Sequence, residues 1–258
     1  VIMPTDSYVF DRWFFLQHVL LGSEKYQIDT SYPKTPTIAI MIPLYNGIEF
    51  LSESTESIKN QTYTNWKCFI GVNGHGDNTT HICDEIRSQL DSRFIVVPQN
   101  SDINNKSKSL NNLVSVIPEE YNILCLLDVD DKWLPEKLEK QITKINDYEI
   151  IGTECRYFGD LDIKPQIQVG EIPRKAFLEC NHMINSSFMI LRKHAHWDEK
   201  LFSIEDYDLW LRKDIEGVKF YNIPEILVLH RCHKSSYFNS KHISDKDLVD
   251  KYRNLYKS

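Results

Sequence analysis

The run Thr37-Ile38-Ala39-Ile40-Met41-Ile42-Pro43 is apolar at almost every position and rich in β-branched residues. A strand with one wet face alternates apolar and polar side chains. A continuous run instead demands cover on both faces, the habit of parallel strands lying beneath helices. The pattern recurs at Trp66–Val72, at Phe94–Pro98 and from Ile123 to Leu127. Helical spacing separates these runs, from about Ile48 to Asn60, from about Asp77 to Leu90 and from about Lys106 to Val116. Strands alternating with helices of this length predict an α/β chain, with a mostly parallel central sheet and right-handed crossovers. Ligands of such open sheets bind beyond the carboxyl ends of the strands. The segments Pro43-Leu44-Tyr45-Asn46, Asn73 to Asp77 and Asp128 to Asp131 are therefore expected to meet in one crevice.

Past residue 150 the alternation loosens. Ile150 to Phe158 and Ile184 to Leu191 read as strands, Ser203 to Ile215 as a helix, and Phe220 to His230 as one or two strands. We expect one domain over residues 35–258, comprising a nucleotide-side half (35–150) and an irregular acceptor half with a C-terminal helix (151–258). Residues 1–34 form an N-terminal extension ahead of it. Its stretch from Tyr8 to Leu21 is apolar but broken by charges, and it is shorter than the ~20 residues of a bilayer span. It reads as a packing or oligomer-forming helix, with membrane-surface contact as the other reading. The first residue is valine rather than methionine, which reads as an excised segment, so targeting signals of a parent protein stay open.

The most chemically loaded motif is Asp128-Val129-Asp130-Asp131, directly after the apolar run that ends at Leu127. Three carboxylates in four residues repel one another unless a positive charge neutralises them. A hard divalent cation does so, sharing its oxygen ligands between carboxylates and substrate phosphates. The alternative is a solvated acidic turn that caps the helix starting near Pro135.

A net charge of -7 over 258 residues, and a pI near 5.7, oppose a nucleic-acid partner, whose phosphates need a basic face. The six cysteines form no CxxC pair and several lie in apolar runs, so we read them as reduced, in a cytoplasmic protein.

Several segments, in order, resemble glycosyltransferase family 2. They are TIAIMIPLYN, SIKNQTYTNWKCFIGVNG, the lysine-bearing NNKSKSLNN, DVDDKWLPEKLEKQ, IEDYDLWLRK and the end of IPEILVLHRCHKSS, together covering residues 37 to about 236. The resemblance implies the GT-A fold. It also implies a metal-dependent enzyme, using Mn2+ or Mg2+, that takes a sugar from a nucleoside diphosphate sugar and delivers it to a saccharide or other hydroxyl with inversion. By the same resemblance Asp206 is the general base, Asp130 the leading metal ligand, Asp128 a further ligand, and His233 a residue that completes the metal shell or contacts the phosphates, a lone histidine being otherwise structural. Asp128 and Asp131 are alternatively holders of water or ribose. Lys106 and Lys108 could reach the diphosphate as point charges, or be solvated residues at a helix start. At the end of the first strand Pro43 and Tyr45 could contact the nucleotide, Tyr45 by stacking on or flanking the nucleobase, or Tyr45 could be a core aromatic. Where relatives carry an acid that pairs with the base, this chain has Asn73, whose amide both donates and accepts, so selection of UDP is the open point.

On its own, the acidic cluster Glu205, Asp206 and Asp208 also reads as first-turn acids that start a helix. A dinucleotide-dependent dehydrogenase is opposed by Leu44-Tyr45-Asn46-Gly47, which has no GxGxxG after the first strand. A sugar nucleotidyltransferase would need a glycine-rich basic loop there. A non-catalytic binding module of the same fold is opposed by intact Asp130 and Asp206. The absence of a QxxRW-like segment after Asp206 points to transfer of one sugar rather than polymer synthesis.

Overall fold

The computed structural model describes residues 36–100, 103, 105–233 and 245–256. The compact unit runs from Pro36 to the end of the chain, and the expected N-terminal extension lies outside the described residues. The first half follows the alternation: β1 (Ile38–Leu44), α1 (Leu51–Lys59), β2 (Trp66–Val72), α2 (Thr79–Gln89), β3 (Phe94–Pro98), α3 (Lys106–Val116) and β4 (Ile123–Leu126). These strands lie in the order β3-β2-β1-β4 and are all parallel. The chain moves outward from β1 to β3 and returns on the other side as β4. The order therefore reverses between β1 and β4, which is where an open parallel sheet forms its ligand crevice.

The continuous apolar runs are explained by two cores, one on each face. Ile38, Ile40 and Ile42 of β1 point into the first core with Leu51 and Ile58 of α1, while Ala39 and Met41 point into the second with Leu110 and Leu113 of α3. At roughly 25 cal/mol per Å² of apolar surface, covering both faces of each central strand provides the main drive for this half.

The second half extends the sheet. The elements are β5 (Lys132–Trp133), α4 (Lys137–Ile142), β6 (Ile150–Gly159), β7 (Gly170–Ile172), β8 (Met189–Leu191), α5 (Glu205–Ile215), β9 (Phe220–Cys232) and α6 (Lys246–Leu255). Beyond β4 the sheet continues β8-β6-β9-β5, with β7 on the other part of β9. β8 runs antiparallel to both β4 and β6, whereas β6 and β9 are parallel.

The second half departs from the sequence expectation in several places, β7 among them. Residues 185–187 form a 3-10 turn rather than the start of a strand, because Asn185 and Ser186 turn their side chains to the acidic tetrad. β5 is two residues long, too short to leave a periodic signal. β9 is one strand, but its register against β6 slips after Ile223, where Pro224 and Glu225 bulge out. Proline lacks the N–H that a ladder needs and is confined to such places.

Candidate active site

The tetrad is the turn that links β4 to β5. Leu127 N–H donates to Met41 O at 3.0 Å and Asp131 N–H donates to Asp128 O at 3.0 Å, so the chain leaves the sheet in a tight bend at the reversal point. It does not cap α4, which begins only after β5 and is preceded by Glu136.

The three carboxylates are held in three different ways. Asp131 is buried: its Oδ2 accepts from Ser186 Oγ at 2.5 Å and lies 3.0 Å from His230 Nδ1, while its Oδ1 accepts from Arg231 N–H at 2.8 Å. Burial by itself lowers the His230 pKa. Asp131, its hydrogen bond and the neighbouring acids outweigh that, so the imidazole is held above its usual range. Asp131 thus ties the tetrad to the end of β9. Asp128 accepts from Asn185 Nδ2 at 3.0 Å and pairs with Lys106 Nζ at 2.5 Å. Burial raises its pKa, but the lysine reverses the effect and keeps the carboxylate ionised. Asp130 lies 3.1 Å from His233 Nε2 through its Oδ2. Burial, and then the charges of Asp131 and Asp128, raise its pKa, against a smaller lowering by the His233 contact.

Lys106 joins two halves of the site. Asn105 caps α3 by accepting Lys108 N–H at 2.8 Å, which places Lys106 at the first helical position facing the crevice. Its ammonium contacts Asp128 and lies 4.0 Å from Glu205 Oε1. Burial lowers its pKa, but Asp128 and Glu205 raise it further, leaving a permanent cation. Lys108 lies elsewhere, lining a pocket of about 460 Å³ with Ile103, Asn111, Asn112 and Glu199.

Glu205 and Asp206 open α5, where free N–H groups and the dipole favour carboxylates. Ile204, just before them, has φ +53°, a left-handed conformation that is strained for a β-branched residue. Asp206 Oδ2 accepts from Asn181 Nδ2 at 3.1 Å. Desolvation and then the adjacent Glu205 push the Asp206 pKa up to about 6, while Lys106 and the Asn181 hydrogen bond restrain the rise. Such a carboxyl is ionised at neutral pH yet basic enough to accept a proton.

At the other end of the crevice, Pro43 is half-buried and registers against Gly71, while Tyr45 is 56% exposed. The Tyr45 ring lies so close over Gly74 (φ +83°) that a Cβ there would overlap it. Asn73 is buried, and its Nδ2 donates to Ile103 O at 3.2 Å. Its Oδ1 has no hydrogen-bond partner among the described residues.

The crevice thus brings Asp128, Asp130, His233, Lys106 and the Glu205-Asp206 pair around one space at the sheet's reversal point, in a chain whose residues 39–198 match the model of glycosyl transferase family 2. The chain belongs to that family. This family 2 chain is 29% identical over 217 residues to the O-antigen biosynthesis glycosyltransferase WbnJ of Escherichia coli, a match covering 77% of the chain and 81% of WbnJ. Two solved structures show the same fold. S. aureus TarS 1-349 in complex with UDP-GlcNAc superposes with a TM-score of 0.66 over 84% of this chain at 13% identity. The mannosyltransferase PcManGT of Pyrobaculum calidifontis, in complex with GDP-Man and Mn2+, superposes with a TM-score of 0.61 over 88% of the chain at 13% identity. The chain spans 66% of the length of each. The architecture is therefore GT-A and the chain is a glycosyltransferase.

The sequence reading missed Asn181, Asn185, Ser186 and His230. The signal for three of them was present, as polar residues interrupting the apolar approach to β8.

Proposed function

We propose that this glycosyltransferase moves a single sugar from a nucleoside diphosphate sugar, with UDP-sugars as the donor class, onto an acceptor hydroxyl with inversion at the anomeric carbon. The observation that carries this is the Lys106 bridge. One half-buried cation stands between Asp128 on the leaving-group side and Glu205-Asp206 on the opposite side, so both carboxylate centres address the same space.

In this account Asp206 takes the proton of the acceptor hydroxyl as the oxygen attacks the anomeric carbon, and the bond to the diphosphate breaks on the far side. Lys106 offers a point charge to the departing phosphate, and Asp128 keeps the lysine in place. Asp130 and His233 fit a divalent ion: they set a carboxylate oxygen and an imidazole nitrogen side by side, each 22% exposed, and Asp130 is the acid whose charge is least compensated. Among the described residues no group of three His, Cys, Asp or Glu side chains is arranged to hold a metal. The remaining ligands would be diphosphate oxygens and water, as is usual for Mg2+ and its like. When bound, the ion supplies Lewis-acid stabilisation of the charge on the leaving diphosphate. Asp128 stands beside it as a further ligand or water holder, and Asp131 orients the turn.

Asn73, with Pro43 and Tyr45, forms the nucleobase end. The unpartnered Oδ1 of Asn73 supports an acceptor for a base N–H, and the exposed Tyr45 ring a flanking surface. Lys108 is a more distant charge on the same helix. Among the described residues no helix is long and apolar enough to cross a membrane. The exposed free thiol of Cys180 fits a reducing compartment such as the cytoplasm. The experiment is calorimetric binding of UDP, GDP and dTDP with and without Mn2+, followed by transfer assays with sugar donors of the tightest nucleotide. Tightest binding by UDP, strengthened by metal, is expected. If no nucleoside diphosphate binds more tightly with Mn2+, the proposal fails.

A further inference from the structure

One short segment, residues 181–187, touches both halves of the site. At its start Asn181 donates from Nδ2 to Asp206 Oδ2 at 3.1 Å. Four residues on, Asn185 donates to Asp128 Oδ2 at 3.0 Å, and Ser186 both donates to Asp131 and accepts Asp128 N–H at 3.0 Å. The orientation of the Asn181 amide is not arbitrary. Its Oδ1 accepts the Met183 N–H at 3.0 Å, so the NH2 group must face Asp206. The segment is itself anchored from behind. Trp133 Nε1 donates to Ser186 O at 2.7 Å, and Gln141 Nε2 donates to Ser187 O at 2.8 Å.

We propose that Asn181 is a positioning residue for Asp206, and that residues 181–187 act as a strut fixing the base at a set distance from the donor-side acids. The proposal rests on the role of Asp206 given above. By engaging Oδ2, beside a backbone hydrogen bond from Tyr207 to the same carboxylate, Asn181 fixes the orientation of the Asp206 carboxylate and stabilises the ionised form that takes the acceptor proton. The charged groups facing Asp206 are Glu205 on its own helix and Lys106 from α3. From α6, Tyr252 and Lys251 turn instead to Asp208. Cys180 and His182 flank Asn181 and contact each other at 3.4 Å.

The test is a 13C-carboxyl NMR titration of aspartate-labelled full chain, with the Asp206 signal assigned by its loss in Asp206→Asn. In the wild type its midpoint is expected near pH 6. In Asn181→Ala the midpoint moves upward by about one pH unit or more, because a hydrogen bond to the charged form is lost. Asn181→Asp keeps the shape and the acceptor for Met183 N–H but replaces the donor by a like charge, and it moves the midpoint further up. Asn185→Ala, at the other end of the strut, leaves the midpoint in place. An unmoved midpoint in Asn181→Asp overturns the proposal, as does an equal shift in Asn185→Ala. Failure of the base role itself is a separate event, read as retained transfer by Asp206→Asn. If Asp206 is the base, steady-state transfer by Asn181→Ala falls at least about tenfold at neutral pH with donor binding unchanged.

Discussion

At the scale of single residues, Asp206 shows how reactivity and stability oppose each other here. The native carboxyl holds its proton up to about pH 6, while the unfolded side chain releases it near 3.8. Between those values the native state binds more protons, so stability falls as pH rises through that window. Above it, the ionised carboxylate costs up to about 3 kcal/mol, less whatever its partial exposure screens. Asp206→Asn removes that term. Thermal denaturation at pH 7.5 should show the variant more stable than the wild type by about 1 to 3 kcal/mol, with the difference gone below pH 4. A variant less stable at both pH values would contradict the electrostatic origin of the raised pKa. In the proposed role of base, the same group sets the pH profile. The rate of transfer should fall on the acid side with a midpoint near 6, as Asp206 becomes protonated and can no longer accept a proton.

At the scale of elements, the site depends on a piece of backbone that the sequence does not advertise. The apolar strands and the α1, α2 and α3 helices were legible because each repeats one periodicity over several turns or pleats, and the strand ends followed from them. The 3-10 turn at 185–187 was not legible, since three polar residues next to Phe188 and Met189 look like the ragged start of a strand. Its shape comes from long-range partners, Asp128 and Asp131, some 55 residues away in sequence. Gly152 makes room for it. A Cβ at that position would overlap Met183 Sδ and Asn222 Oδ1, so the strand must carry glycine where the strut crosses it. Ser186→Ala should leave Asp131 with one donor fewer and Asp128 N–H unpartnered. We expect a loss of about 2 kcal/mol, seen as a drop in Tm of several degrees for a domain of this size. Metal-dependent nucleotide binding should weaken along with it, whereas a wild-type Tm would show that the turn is held by other contacts.

At the scale of the molecule, a chain of net charge -7 has gathered Lys106, His230, Arg231 and His233 around its densest acidic turn. The negative total predicts nothing about that local balance, and so the roles within the tetrad could not be divided from sequence. The acidic composition argues against a nucleic-acid partner. The order of strands and acids pointed to the tetrad at the sheet's reversal, which the proposed function takes as the leaving-group side. The division of labour among Asp128, Asp130 and Asp131 emerges only when β9 returns past the turn and brings His230 to one acid and His233 to another. The antiparallel β8 was equally hidden, because a three-residue strand carries no sign of its direction. Its position between β4 and β6 nevertheless puts the 185–187 turn beside the tetrad. The fold sets the acidic tetrad at the reversal of the parallel strands and Glu205-Asp206 at the start of α5, with Lys106 between them; in the proposed function these are the leaving-group and acceptor sides. The direct test of that arrangement is to compare donor binding and single-turnover transfer in Asp206→Asn, using the nucleotide sugar selected by calorimetry and Mn2+. Unchanged donor affinity with transfer reduced at least about a thousandfold is the predicted result; transfer at the wild-type rate would contradict the account.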